Sequence, residues 1–123
     1  MTATQYFKEN IIEKLENKAV EYSYSYPESF EIVPVGAYRL TSDIDIDIDL
    51  QKFTHKQENE FYVSIWGNSP AELEEISNDV CQKAQEAGFT KTFLSDIPRG
   101  DEAYYHREIR LKISFNPQQK IVL

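Results

Sequence analysis

Alternation of apolar and polar residues predicts most of the secondary structure. Residues 43–50 alternate strictly between aspartate and an aliphatic side chain. Along residues 60–66, Phe61, Val63 and Ile65 occupy every second position and are expected on one face. A period of two sends successive side chains to opposite faces of a sheet. We therefore expect strands with one buried and one wet face. The predicted strands cover residues 30–36, 43–50, 60–66 and 104–115, with a shorter strand at 89–94 and a charged loop at 95–102.

The N-terminal part predicts a helix followed by an extended segment. Residues 4–18 carry apolar side chains every three to four positions, and Thr4 is the expected N-cap. Tyrosine and serine then alternate over residues 22–26 before Pro27, which predicts an extended arm or a short edge strand. The buried helix face is expected to hold Phe7, Ile11, Ile12 and Leu15.

A second helix is predicted to begin after Ser69. Pro70 suits the first helical position, Glu72 completes a capping box, and Gly88 is the expected C-terminal stop. Its buried face is expected to hold Leu73, Ile76, Val80, Ala84 and Ala87. The order of elements predicts a single α+β domain over residues 1–123, a mainly antiparallel sheet of about four to five strands packed against two helices.

Composition narrows the class of protein. The chain has 123 residues with 21 acidic and 13 basic side chains, a formal net charge of −8. This balance argues against sequence-independent binding of DNA or anionic lipid. No apolar run reaches the roughly 18 residues of a membrane span, and we expect neither membrane association nor a signal peptide. A single cysteine, Cys81, excludes an internal disulfide, so the sequence favours a cytosolic chain when made.

Four aspartates form the most unusual pattern of the chain. Along one strand they are expected to lie roughly 6.6–7 Å apart, close enough to repel one another. One interpretation is a solvated strand face, and another is a calcium or magnesium site. A calcium-loop register starting at Asp47 places Lys52 where that loop needs glycine. The predicted acidic lumen or interaction face comprises Asp43, Asp45, Asp47 and Asp49.

A third interpretation is a minimal nucleotidyltransferase. In that fold a Gly-Ser pair precedes a strand with Asp-x-Asp, whose carboxylates hold two Mg²⁺ ions for phosphoryl transfer. Here Gly36-Ala37 precedes the aspartates, and alanine replaces the serine. Only Asp47 and Asp49 are at a suitable spacing, so they are the metal ligands of this alternative.

Aromatic and basic residues near the C-terminus form a second candidate surface. Their aromatic members are equally typical of packing between sheet and helix and of a protein interface. The basic members are expected on the outer face of the last strand, either neutralising a neighbouring aspartate strand or pairing with that strand on another subunit. The candidate subunit interface comprises Trp66, Tyr104, Tyr105, Arg107, Arg110 and Lys112. Cys81 is predicted to be a small core residue, and neither histidine has a catalytic motif around it.

Four segments carry a family resemblance that covers nearly the whole chain. They are the aromatic-rich segment at residues 25–30, the strand at 61–66, the turn and helix start at 67–72, and the strand at 105–115 that follows an acidic loop. With the N-terminal helix, this layout resembles the tail terminator (tail completion) proteins of long-tailed bacteriophages.

The resemblance implies a structural protein without cofactor or catalytic site. Such proteins assemble as a ring, typically a hexamer, on the finished tail tube, where they end polymerisation and offer a docking surface to the head connector. It implies a place in the virion tail and, during assembly, in the bacterial cytoplasm. An acidic strand face would suit the lumen, because DNA passes there without being specifically bound. An adaptor that binds a basic partner through this face is a further alternative.

Overall fold

The helices and strands are those of a computed structural model, which describes residues 2–49, 54–98, 103–116 and 121–122. Two helices and a short 3-10 turn pack against one sheet. In chain order the elements are α1 Ala3–Asn10, the 3-10 turn Ile12–Lys14, β1 Glu21–Tyr24, β2 Val35–Asp49, β3 Thr54–Gly67, α2 Pro70–Glu86, β4 Thr90–Ile97, β5 Tyr105–Asn116 and β6 Ile121–Val122.

The sheet is open and mixed. Its strand order is β1-β2-β3-β5-β4, and the two-residue strand β6 pairs with the end of β5. β1 runs parallel to β2, whereas all the other pairs are antiparallel. This confirms the predicted α+β class and the mainly antiparallel sheet. In the described part of the chain, β1 and β4 are the two edges.

The first helix begins earlier and ends sooner than the sequence predicts. Thr2, not Thr4, is the N-cap: its hydroxyl accepts a hydrogen bond from the Gln5 amide at 3.1 Å, and the Gln5 side chain accepts one from the Thr2 amide at 2.8 Å. The predicted apolar face is nevertheless correct, because Phe7, Ile11 and Leu15 are all buried.

Tertiary hydrogen bonds explain why the helix does not reach residue 18. A carboxylate oxygen of Asp79, on α2, accepts hydrogen bonds from the amides of Glu16 and Asn17 at 3.0 and 3.1 Å. A helix would direct these amides to main-chain carbonyls four residues earlier. The contact with α2 therefore replaces the last predicted turn.

The predicted strand at residues 30–36 is wrong. Residues 30–34 precede the strand, and Val35 begins a single 15-residue strand that continues into the aspartate segment. Gly36 lies inside this strand instead of ending one. A Cβ atom at position 36 would overlap the ring of Tyr22 on β1, so the parallel pair depends on a residue without a side chain.

The second helix follows the prediction closely. The Ser69 hydroxyl accepts from the Glu72 amide at 3.2 Å, while the Glu72 carboxylate accepts from the Asn68 amide and not from Ser69, so only half of the capping box forms. Gly88 has the positive φ of 92° expected of a C-terminal stop. This helix has 17 residues, and no helix in the described ranges is both long and apolar enough to cross a membrane.

Both helices cover the same face of the sheet. β3 contributes Phe61, Val63 and Ile65 to this core, as predicted. β4 is longer than predicted, since residues 95–97, expected in a loop, belong to the strand. On α2, Leu73, Ile76, Val80 and Ala84 are buried as predicted, whereas Ala87 is only partly buried. On β5, the buried side chains are those of Ile109, Leu111 and Ile113.

Candidate interaction surface

The connection between β1 and β2 covers one end of the other face of the sheet. The ring of Phe30, in this connection, packs edge-on against Trp66 at 5.4 Å between centroids and stacks on Tyr104 at 5.9 Å. The Tyr104 hydroxyl donates to the Phe30 carbonyl at 3.2 Å. These contacts hold residues 25–34 against the sheet, with Trp66 itself 7% exposed.

The predicted aromatic patch is therefore divided between the two faces. Trp66 and Tyr104 belong to the cluster around Phe30. Tyr105 packs against the core on the helix-covered face, because successive residues of a strand point to opposite sides. Trp66 also stacks on His106 at 4.3 Å, which places this histidine within the same packing.

Arg107 does not lie on the outer face, contrary to the prediction. Arg107 lies two residues before Ile109 on β5, so its side chain is on the same, helix-covered face. There it lies under α2 and is 6% exposed. Its guanidinium donates to Asp96 at 2.7 Å, to Glu74 at 2.9 Å and to the Ser77 hydroxyl at 3.4 Å. The hydrogen bond to Asp96, and after it the one to Glu74, raises the pKa of Arg107. The residue joins α2, β4 and β5 within one subunit.

Arg110 and Lys112 do lie on the open face, as predicted, but not beside the aspartates. β3 lies between β5 and β2, so the Lys112 ammonium meets Glu58 of β3 at 2.7 Å. The Arg110 guanidinium lies 4.5 Å from the ring centre of Tyr62 and 4.3 Å from that of Phe93. Such cation–π contacts form a band across β3, β5 and β4.

Most of the exposed large hydrophobic side chains of the described residues lie at the two edges of the sheet. Tyr24 belongs to β1, and Ile32, which is 80% exposed, lies in the connection that follows it. Tyr26, in the same connection, packs against Trp66 over the open face. Phe93 and Leu94 lie on β4 at the opposite edge, each more than one third exposed. The alternation at residues 22–26 predicted the short edge strand β1, whereas no sequence pattern singled out β4 as the other edge.

An acidic groove accompanies the β1 edge. It has a volume of about 260 Å³ and is lined by Glu21 of β1, by Glu28 and Glu31 of the connection, and by Ile32. The β4 edge differs in charge, since Lys91 is exposed on it and Arg110 lies over Phe93. The two edges are therefore both partly apolar and differ in charge.

The four aspartates lie on β2, and the backbone of this segment pairs with β3. Asp43 and Asp45 pair with Asn59 and Gln57 of β3, but the register shifts between Asp45 and Asp47, which interrupts the regular alternation of the pairing. The side chains of residues 43–49 lie outside the described part, as do Gln51 and Lys52 entirely. The acidic face and the Mg²⁺ alternative at Asp47 and Asp49 thus stay predictions.

Two other observations concern chemistry. Across the residues that the structure describes, no three His, Cys, Asp or Glu side chains are grouped to hold a metal ion. Cys81 is partly buried against the core, and burial raises the pKa of its thiol, which agrees with a packing role.

Comparison with known proteins adds no family assignment. The chain matches no protein-family model, and no curated protein shows significant sequence similarity to it.

Proposed function

We propose that the protein is a structural protein of the phage tail terminator type. It assembles as a homo-oligomeric ring on the tail tube protein, ends tube polymerisation and presents the surface on which the head connector docks. It acts without a cofactor, in the virion tail and, before that, in the host cytoplasm.

The observation that carries this proposal is the position of the exposed apolar side chains. Scattered apolar residues are ordinary on a protein surface, but here they are concentrated at two opposite edges of one sheet. A ring requires two different patches on each subunit, one meeting the other on the next copy. The β1 edge with Tyr24 and Ile32, and the β4 edge with Phe93 and Leu94, have this arrangement.

The order of elements and the charge support the same proposal. The chain runs through an N-terminal helix, an aromatic-rich segment, strands, a capped helix and further strands, which is the layout on which the resemblance rests. The net charge of −8 per subunit would make the ring acidic as a whole. Repulsion between carboxylates and phosphates then lets DNA pass without binding.

Light scattering over a wide protein concentration range tests the proposal, followed by negative-stain microscopy of the same sample. We expect a species near six times the subunit mass of 14.4 kDa, with a central opening, formed equally with and without Mg²⁺. A strict monomer at every concentration would contradict self-assembly. A magnesium-dependent change in a monomer would favour the nucleotidyltransferase alternative instead.

A further inference from the structure

We propose that the subunits join by strand addition, with β4 of one copy pairing antiparallel to β1 of the next. The inference rests on the proposed ring and names the contact that closes it. Each subunit would then extend the sheet of its neighbour, and the occupant of each open edge is a second copy of this chain.

Strand directions make the two edges complementary. β1 runs parallel to β2, and each later step across the sheet, to β3, β5 and β4, reverses direction. β1 and β4 therefore run in opposite directions. When a copy is related to the next by rotation about an axis along the strands, directions are kept, so β4 meets the neighbouring β1 antiparallel. That arrangement is the more stable form of strand pairing.

Both edges contain a stretch that is open to pairing, and these stretches are similar in length. β1 has four residues, and β4 has a regular stretch at residues 93–97 after its register shift between Lys91 and Phe93. Neither stretch contains proline. The stretch at residues 93–97 carries one charge, on Asp96, which is paired with Arg107, and β1 carries one charge, on Glu21 at its first position. Monomeric proteins usually blunt such edges with proline, lysine or uncompensated charge. Among the described residues, β1 pairs only with β2 and β4 only with β5.

The side chains at the two edges also match. Leu94 pairs in register with Ile109, and Tyr24 with Tyr38, so both lie on the helix-covered face. In the extended sheet they meet on the same face, where an aromatic residue beside an aliphatic one stabilises a strand pair. The acidic groove at Glu21, Glu28 and Glu31 accompanies the β1 edge, whereas the Arg110 guanidinium lies over Phe93 at the β4 edge, so the two edges are also opposite in charge.

Two single variants and their mixture test the contact. Tyr24→Lys disables the β1 edge and leaves β4 intact, whereas Leu94→Lys disables β4 and leaves β1 intact. Both side chains are exposed in the subunit, 51% and 37%, so the fold is expected to tolerate lysine. Asn78→Lys, at an exposed position of α2, is the matched control that adds the same charge away from both edges.

We expect a ring for the wild type and for Asn78→Lys, and monomers for each edge variant alone. An equal mixture of the two edge variants should give a 1:1 dimer of twice the subunit mass, because one intact β4 meets one intact β1. Circular dichroism of each variant checks that it is folded.

Each alternative outcome overturns a distinct statement. Rings formed by the edge variants would place the contact elsewhere and leave the proposed function standing. A single variant that dimerises with itself would show like-with-like edge pairing. A monomeric wild type would refute the ring and the contact together. If a variant fails to fold, hydrogen exchange of the wild type decides: amides at 21–24 and 93–97 should be protected in the ring and exposed on dilution, and unchanged exchange contradicts the proposal.

Discussion

At the scale of single residues, Tyr22 shows how the edge strand is held. Its ring lies against Gly36, and its pKa is raised well above the usual value of a tyrosine, first by burial and then by the negative charge of Asp79. A raised pKa in the folded state means that the neutral hydroxyl is favoured there. The stability that depends on it is complete below about pH 10, where unfolded tyrosine is still protonated, and is lost as the pH rises further.

Tyr22→Phe should remove this dependence. We expect the unfolding free energy of the wild type relative to the variant to be constant below about pH 9 and to fall above about pH 10. Urea denaturation at a series of pH values measures it. Tyr24→Phe, at the more exposed position two residues later, is the control, and an equal effect there would contradict the assignment.

A second prediction concerns Arg107 and compares the stability lost when its carboxylate partners are removed with that lost when the arginine itself is removed. Its guanidinium is buried, whereas the carboxylates of Asp96 and Glu74 are largely exposed. Removing both carboxylates leaves a buried cation unpaired, while removing the arginine leaves two carboxylates that water can solvate. We expect the Asp96→Ala/Glu74→Ala double variant to lose about 2 kcal/mol, more than Arg107→Met loses. Urea denaturation compares them, and the reverse order would refute the argument.

At the scale of elements, the parallel pair of β1 and β2 depends on the absence of a side chain at Gly36. Gly36→Ala should push the Tyr22 ring away and cost about 1–3 kcal/mol through overpacking. In a Tyr22→Ala background the same change should cost clearly less, because the overlapping ring is gone. Equal costs in both backgrounds, measured by urea denaturation, would show that the ring is not the obstacle.

At the scale of the whole molecule, the two functional hypotheses differ in their dependence on the aspartates. For a ring-forming protein we expect the Asp47→Asn/Asp49→Asn variant to keep the wild-type mass and to show, like the wild type, no thermal shift with Mg²⁺ and nucleotide. Asp79→Asn is an unsuitable control because the Asp79 carboxylate holds the amides of Glu16 and Asn17. Glu75→Gln, at an exposed position of α2, is suitable. A nucleotide-dependent shift lost only in the aspartate variant would support the transferase alternative.

Local pattern determined much of this protein. The apolar period along α2, with Ser69 before it and Gly88 after it, predicts the helix within a residue or two, since caps and amphipathic spacing act over a few neighbouring positions. The alternation at Phe61, Val63 and Ile65 likewise predicts which face is buried, because a strand allows only two faces.

Tertiary structure decided what depends on distant partners. Asp79 binds the amides of Glu16 and Asn17, where the sequence predicted a last helical turn. Arg107 finds its carboxylates on two other elements, and the position of β5 beside β3 gives Lys112 a glutamate in place of the aspartates. The candidate interaction surface is also a feature that depends on the tertiary structure. Phe93 and Leu94 are exposed because β4 is an edge, and strand order arises from long-range pairing that no local period encodes.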